Sequence, residues 1–284
     1  MTNESVDHEP TGALFEAAGP DRWTPTEWSR GPWDPDPCHG GSAAALLARA
    51  GEQTERGEVD WQVARLTVEL TRPVPVGRPL DLHATVERPG RRVGLVAAVL
   101  TDGDTEVARV RGLRIRRNPL EVVEFPVSAV ADEATDGGEF PAPPDASRLE
   151  RPMFIGADAE RISFATRACE HRFAAGGWAE PGPVAVWIRL TVPVVPGEEP
   201  TGPQRTAAAA DFGNGVSSVL PWEQFLFINP DLTVHLLRPA EGEWIGLRAV
   251  TRIGTQGAGL AQSSLHDVNG IVGRGLQSLF IAPR

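Results

Sequence analysis

One carboxylate and one glycine pair stand out as chemically useful. Asp211 lies in TAAAADFGNGVSSVL (206–220), where it is the only charge among alanines, glycines and branched apolar residues. A carboxylate within one hydrogen bond of a water can take its proton as a general base. The plainer readings are an N-cap for a short helix starting at Phe212, or a solvated side chain. The glycine pair lies in CHGG (38–41). Gly40 and Gly41 would let a ligand come close to the backbone. If they open a helix, their N–H groups can stabilise an oxyanion. His39, just before them, can donate to a carbonyl or phosphate oxygen, or simply pack in a loop. Cys38 would need a neighbouring base to act as a nucleophile. Asp36, Cys38 and His39 do not have the spacing of a metal site, so no metal is expected. His235 falls in an outward slot of LTVHLL and reads as structural or solvated. The tryptophans of WTPTEWSRGPWDPDP (23–37) line a pocket or pin an irregular loop.

Composition narrows what this chemistry can be. The 284 residues carry 38 acidic and 27 basic side chains, a formal net charge of −11. An acidic chain repels phosphate backbones, so nucleic acid is not an expected partner. Every basic residue is arginine, and there is no lysine or tyrosine. That excludes a Schiff-base lysine and the lysine of a phosphate loop. The bias fits a GC-rich genome. Cys38 and Cys169 are too few and too far apart for a disulfide framework. No apolar run approaches the eighteen or so residues of a membrane span. The start, MTNESVDHEP, is polar and acidic, unlike a secretory signal, so a cytoplasmic location is expected.

The elements that must position these residues come in two copies. LTVELTRP (66–73) and LTVHLLRP (232–239) agree at six of eight positions. LDLHATVERPGRRVGLVAAVLTDGDTEVARVRGLRI has a counterpart in WIGLRAVTRIGTQGAGLAQSSLHDVNGIVGRGLQSLFI. Turn residues punctuate both: RPGR and TDGDT in the first, GTQGAG and HDVNG in the second. Leu80, Leu82, Ala84 and Val86 alternate with polar neighbours, as do Leu66, Val68 and Leu70. Period two means an antiparallel sheet with one face buried. A small-residue helix precedes each set of strands, at HGGSAAALLARAGEQ (39–53) and RTAAAADFGNGVSSVL (205–220). The pattern predicts an α+β fold of two duplicated units, over 1–120 and 150–284. The stretch 121–149 is rich in Pro, Ala and acid and reads as a linker.

AAADFGNG, LTVHLLRP and NGIVGRGLQSLF in the second half resemble the acyl-CoA thioesterase II family. So do HGGSAAALLARA and ELTRPVPVGRPL in the first. The resemblance covers nearly the whole chain and implies a double hotdog, two tandem units each with an antiparallel sheet wrapped around a central helix. In that family an Asp, a Ser or Thr, and a Gln hold the attacking water. The Asp falls on Asp211 and the Gln on Gln277. The hydroxyl position falls near Phe227, Ile228 and Asn229, none of which has a hydroxyl; Asn229 is the polar stand-in. The implied chemistry is hydrolysis of an acyl thioester. Asp211 would be the base, Gln277 would orient water, and the backbone near His39, Gly40 and Gly41, or at the Asp211 helix, would bind substrate and oxyanion. Read without the resemblance, Gln277 is an ordinary strand glutamine on a solvated face. Its first-half counterpart is Arg111 or Gly112, and Asp211 faces alanines near Ala45. Acid and amide thus occur together in one half only, which implies one site per chain.

No cofactor is expected. The expected partner is acyl-CoA or another acyl thioester, with RPGRR (88–92) and RIRR (114–117) as candidate phosphate contacts. Exposed sheet edges allow a homo-oligomer. Two alternatives remain. A non-catalytic acyl-thioester binding protein would explain the missing hydroxyl. A hotdog enoyl hydratase would require a histidine within hydrogen-bond reach of Asp211.

Overall fold

The computed structural model describes residues 12–32, 34, 36–54, 57, 59–118, 140–145 and 161–284. Most of the linker stretch, 121–149, lies outside them. Its described part, 140–145, lies against the second half. Phe140 meets the Trp187 ring edge-on at 5.1 Å, and Trp187 Nε1 donates to the Pro141 carbonyl at 2.8 Å.

Among the described residues the strands form one antiparallel path, β1-β2-β4-β5-β6-β3-β10-β13-β12-β11-β8-β7. The first half contributes β1 (Phe15–Gly19), β2 (Arg22–Pro25), β3 (Trp61–Glu69), β4 (Leu80–Arg88), β5 (Val93–Asp102) and β6 (Thr105–Arg116). The second contributes β7 (Cys169–Gly177), β8 (Glu180–Leu190), β10 (Asp231–Leu236), β11 (Trp244–Ile253), β12 (Ala258–Asp267) and β13 (Gly270–Pro283). A short extra strand, β9 (Phe225–Ile228), pairs with β13 off the path. Left-handed glycines make two of the expected turns, Gly103 (φ 58°) in TDGDT and Gly270 (φ 109°) in HDVNG. Only a residue without Cβ adopts such angles freely.

The path is symmetric about its centre, and the repeat explains why. β3 and β10 carry the repeated octapeptide and pair with each other. Thr67 stands opposite Thr233, the same position of the repeat, flanked by Leu66 against Val234 and Val68 against Leu232. A pseudo-twofold axis therefore passes between the two threonines. The strand register also settles the counterpart of Gln277. Thr67 pairs with Arg111 and Thr233 with Leu276, so Gln277, one residue on, corresponds to Gly112.

Inside the sheet lie α1 (Gly40–Gln53) and α2 (Gly202–Ala210), side by side. Residues 41–51 of α1 are all buried, as are Ala207–Ala210 of α2. A helix covered on every side must be apolar all round, and alanine and glycine let two such helices lie close together. The structure differs from the sequence reading in three ways. The helix expected over 205–220 ends at Ala210, turns at Asp211 and Phe212, and resumes only as the single turn α3 (Gly213–Val216). A β-hairpin precedes the central helix in each half, β1–β2 and β7–β8, where no strand was expected. In β4, Leu80 and Leu82 are buried as the alternation requires, but Ala84 is exposed and Val86 half-buried. Among the strands α1 packs chiefly on β6, β5 and β3, leaving the far end of β4 less covered.

Candidate active site

Four segments meet where α2 ends. Asp211 closes α2 in helical backbone geometry and does not cap the turn after it, which starts at Phe212 without a side-chain cap. His39 is the N-cap of α1. The loop that holds it is tied by backbone bonds: His39 N–H donates to the Ser29 carbonyl at 2.8 Å and Cys38 N–H to that of Val74 at 2.7 Å. Asn229 follows β9, and Gln277 points inward from β13. β13 also steadies the Asn229 turn, because Ser278 N–H donates to Asp231 Oδ1 at 2.7 Å.

The carboxylate of Asp211 is buried and surrounded by donors. Asn229 Nδ2 donates to Oδ1 at 2.6 Å, and Gln277 Nε2 reaches Oδ1 at 3.1 Å and the Asp211 carbonyl at 3.0 Å. His39 Nδ1 lies 2.9 Å from Oδ2. Gln277 Oε1 accepts from Asn214 N–H at 3.1 Å, which fixes the amide with its nitrogen toward Asp211. Both Gln277 N–H groups thus face Asp211, and one Oε1 lone pair remains.

The glycines follow from this crowding. A Cβ on Gly40 would stand 2.8 Å from Asp211 Oδ2 and 2.7 Å from Leu70 Cδ1. On Gly41 it would stand 2.6 Å from the Ala208 carbonyl oxygen and 2.9 Å from Phe164 Cε1. Without side chains at these two positions α1 can start against Asp211 itself. Gly213 makes room in the same way, since a Cβ there would be 2.7 Å from Gln277 Oε1.

Aromatic rings wall the site. Phe164 and Phe212 stack at 5.5 Å, and the His39 ring packs against both, at centroid distances of 4.8 and 4.7 Å. His171 meets the other side of the cluster, edge-on to Phe212 at 4.6 Å and to Trp178 at 5.0 Å. Burial, with a smaller contribution from His39, pushes the His171 imidazole down to about 3, so it is neutral. Burial likewise pushes the Cys38 thiol up to about 12, which removes it as a nucleophile at neutral pH. Sequence reasoning missed the His39–Asp211 contact, the Asn214 amide and His171. RACEHRF did hold a signal for the last, since Cys169, His171 and Phe173 alternate and all three are buried.

The opposite ends of the two helices hold the pseudo-symmetric copy. With the helices aligned on their N-caps, Thr201 answers to His39 and Arg49 to Asp211, a correction to the alanines near Ala45. Arg49 pairs with Glu198, Nε to Oε2 at 2.7 Å. Thr201 Oγ1 donates to Glu52 at 2.7 Å. This end thus has an arginine at the position of the acid and Gly112 at that of Gln277, and its carboxylates, Glu198 and Glu52, come from other positions. Of the arginines considered for phosphate, Arg114 is buried and donates to the Thr54 carbonyl at 2.6 Å, while Arg117 lies 3.5 Å from Asp60. Among the described residues no helix is long and apolar enough to cross a membrane.

Residues 29–115 match the acyl-CoA thioesterase N-terminal domain and residues 137–281 the acyl-CoA thioesterase C-terminal domain. No curated protein sequence matches the chain. Solved structures do. A tesB protein from Mycobacterium avium subs. paratuberculosis is 15% identical with TM-score 0.64, over 95% of this chain and 96% of that one. A hot dog fold protein from Alicyclobacillus acidocaldarius is 16% identical with TM-score 0.66, over 94% and 95%. An acyl-CoA thioesterase II from Mycobacterium marinum is 13% identical with TM-score 0.63, over 95% of each chain. At such identities the likeness is one of fold, and the paired domain matches carry the assignment. With two tandem hotdog units and both thioesterase domains in order, the chain belongs to the acyl-CoA thioesterase family and is an acyl-CoA thioester hydrolase.

Proposed function

We propose that the protein hydrolyses its acyl thioester by direct attack of water, with Asp211 as general base. The observation that carries this reading is the Asp211 carboxylate itself, buried and held by Asn229, Gln277 and His39 beside the start of α1. A water next to Oδ2 would lose its proton to the carboxylate as its oxygen bonds to the thioester carbon. The carbonyl electrons move onto oxygen, and the first N–H groups of α1 lie where they can stabilise that charge. Collapse of the intermediate breaks the carbon–sulfur bond. The thiolate leaves and takes up the proton that Asp211 received, giving a carboxylic acid and a free thiol. Gln277 and Asn229 act by fixing the carboxylate, and Asn229 does by an amide what the family does by a hydroxyl.

Free-thiol release from acyl-CoAs of short, medium and long chain tests this. Asp211→Asn keeps the shape of the side chain and removes the base, so release should fall by about a hundredfold or more. Full activity in the variant would overturn the role of Asp211. Saturable acyl-CoA binding without thiol release by the wild type would favour the binding-protein reading. His39 beside Asp211 also meets the geometric condition set for a hydratase. Hydration of a 2-enoyl-CoA faster than its thiol release would make that the reaction.

A further inference from the structure

One ring nitrogen stands between two partners. His39 Nδ1 is 3.0 Å from the Gly41 amide nitrogen and 2.9 Å from Asp211 Oδ2. An imidazole nitrogen has in the ring plane either one lone pair or one proton. It can accept from Gly41 N–H or donate to the carboxylate, but not both. With Asp211 ionised, an unprotonated Nδ1 would set its lone pair against a carboxylate oxygen at hydrogen-bonding distance. A protonated Nδ1 turns the same contact into a charge-assisted bond, roughly twice as strong as a neutral one.

We infer that His39 is a positioning residue for Asp211: its Nδ1–H holds Oδ2, and the Gly41 N–H is thereby left uncapped for the thioester oxygen. This deepens the reading of Asp211 as the base and rests on it. The ring is well placed for the task. It packs against the edge of the stacked pair Phe164 and Phe212, and its backbone N–H is bonded to Ser29, which together restrict how far the ring can turn. Of the other titratable groups around it, His171 from β7 and Cys38 on its own loop are both held neutral, and the Arg30 guanidinium acts on Cys38 from the segment bridged to it. Three donors on three segments then fix the carboxylate plane: Asn229 Nδ2, Gln277 Nε2 and His39 Nδ1. The Gly41 N–H belongs to the first turn of α1, where no intrahelical acceptor exists. Gly41 is buried, and once Nδ1 carries a proton its N–H loses the acceptor it faces; a buried N–H in that state costs about 1–3 kcal/mol, which a substrate oxygen arriving there would relieve. A side chain read from the sequence as touching substrate thus acts through the acid instead.

Two substitutions separate pairing from capping. His39→Ser supplies a strong N-cap but no donor at the Nδ1 position. His39→Asn can overlay its Nδ2 on Nδ1 and restore the bond to Oδ2. If His39 positions Asp211, His39→Ser should keep a wild-type melting temperature within a few degrees, lose about tenfold or more in kcat, and change KM by less than about threefold. His39→Asn should recover most of the lost kcat. Equal activity in the wild type and His39→Ser, or equal loss in Ser and Asn variants that melt normally, overturns the inference. A second measurement needs no substrate: nitrogen NMR of histidine-labelled protein, with the His39 ring assigned by its disappearance in His39→Ser. The proton should sit on Nδ1 in the wild type. A proton on Nε2 alone overturns the inference whatever the activity. A proton on Nδ1 in a protein that releases no thiol would sink the hydrolytic reading and leave the pairing intact.

Discussion

At the scale of single residues, the site is set by how little room surrounds one carboxylate. Gly40 is the most direct probe, because its missing Cβ is the space Asp211 Oδ2 and Leu70 occupy. Gly40→Ala should push the carboxylate off its donors and lower kcat by about tenfold or more, as sub-ångström displacement of a reacting group does. Gly215 is the matched control, since a Cβ there would meet nothing within 4 Å. Gly215→Ala should leave thiol release unchanged and raise stability by about 0.4–1 kcal/mol, by restricting the unfolded chain. Thiol release and thermal melting on both variants check the pair. A Gly40→Ala enzyme as active as the Gly215→Ala one would show that the carboxylate has slack that its neighbours do not suggest.

At the scale of elements, the fold makes two equivalent helix ends, and the proposed mechanism uses only one of them. At the active end α1 begins against the acid that ends α2. At the other end α2 begins near Arg49, whose guanidinium pairs with Glu198 and lies 4.9 Å over the Trp23 ring. That end reads as a structural clamp. Arg49→Met keeps the aliphatic stem and removes the pairing, so it should destabilise the protein by about 1–3 kcal/mol. It should leave kcat/KM within about twofold of wild type. Denaturant melts and steady-state thiol release measure the two effects. A large kcat loss in a folded Arg49→Met protein would mean that the two ends communicate through the helix pair.

At the scale of the whole molecule, a buried neutral histidine links stability to acidity. His171 titrates at about 3 when folded against 6.5 ordinarily, and its Nε2 has no hydrogen-bond partner among the described residues. Below pH 6.5 the unfolded chain takes up a proton there that the folded chain refuses down to about pH 3. Stability therefore rises with pH across that window and is lost as pH falls through it. The slope is up to about 1.4 kcal/mol per pH unit. His171→Leu should flatten that part of the curve. Urea midpoints at pH 7 and pH 5 for both proteins check it; an unchanged acid slope in the variant would assign the loss to other groups.

Much of the architecture was legible because it is local or repeated. Period-two alternation marked β3 and the buried start of β4, turn residues marked the hairpin ends, and runs of alanine marked both central helices. The duplicated LTV octapeptide did more than reveal a repeat, since those two strands are the pair that meets at the pseudo-twofold axis. The hairpins β1–β2 and β7–β8 escaped notice for physical reasons. In β1 only Phe15 is buried, and β8 starts with exposed Glu180 and Pro181, so neither presents an alternating face at its start. The resemblance pointed to Asp211 and Gln277 and left Asn229 as a stand-in, and the structure brings the three side chains together. Nothing in the sequence joined Asp211 to His39, because no periodicity within either helix encodes how the two helices dock. By itself the sequence determined two α+β units, one acid-bearing half and the glycines at the start of α1, since these are matters of residue type and spacing. Only the tertiary structure decided that α1 begins against the end of α2, that one histidine nitrogen faces both an amide and the acid, and that the mirrored end is closed by Arg49 and Glu198, since these depend on packing between segments far apart in the chain.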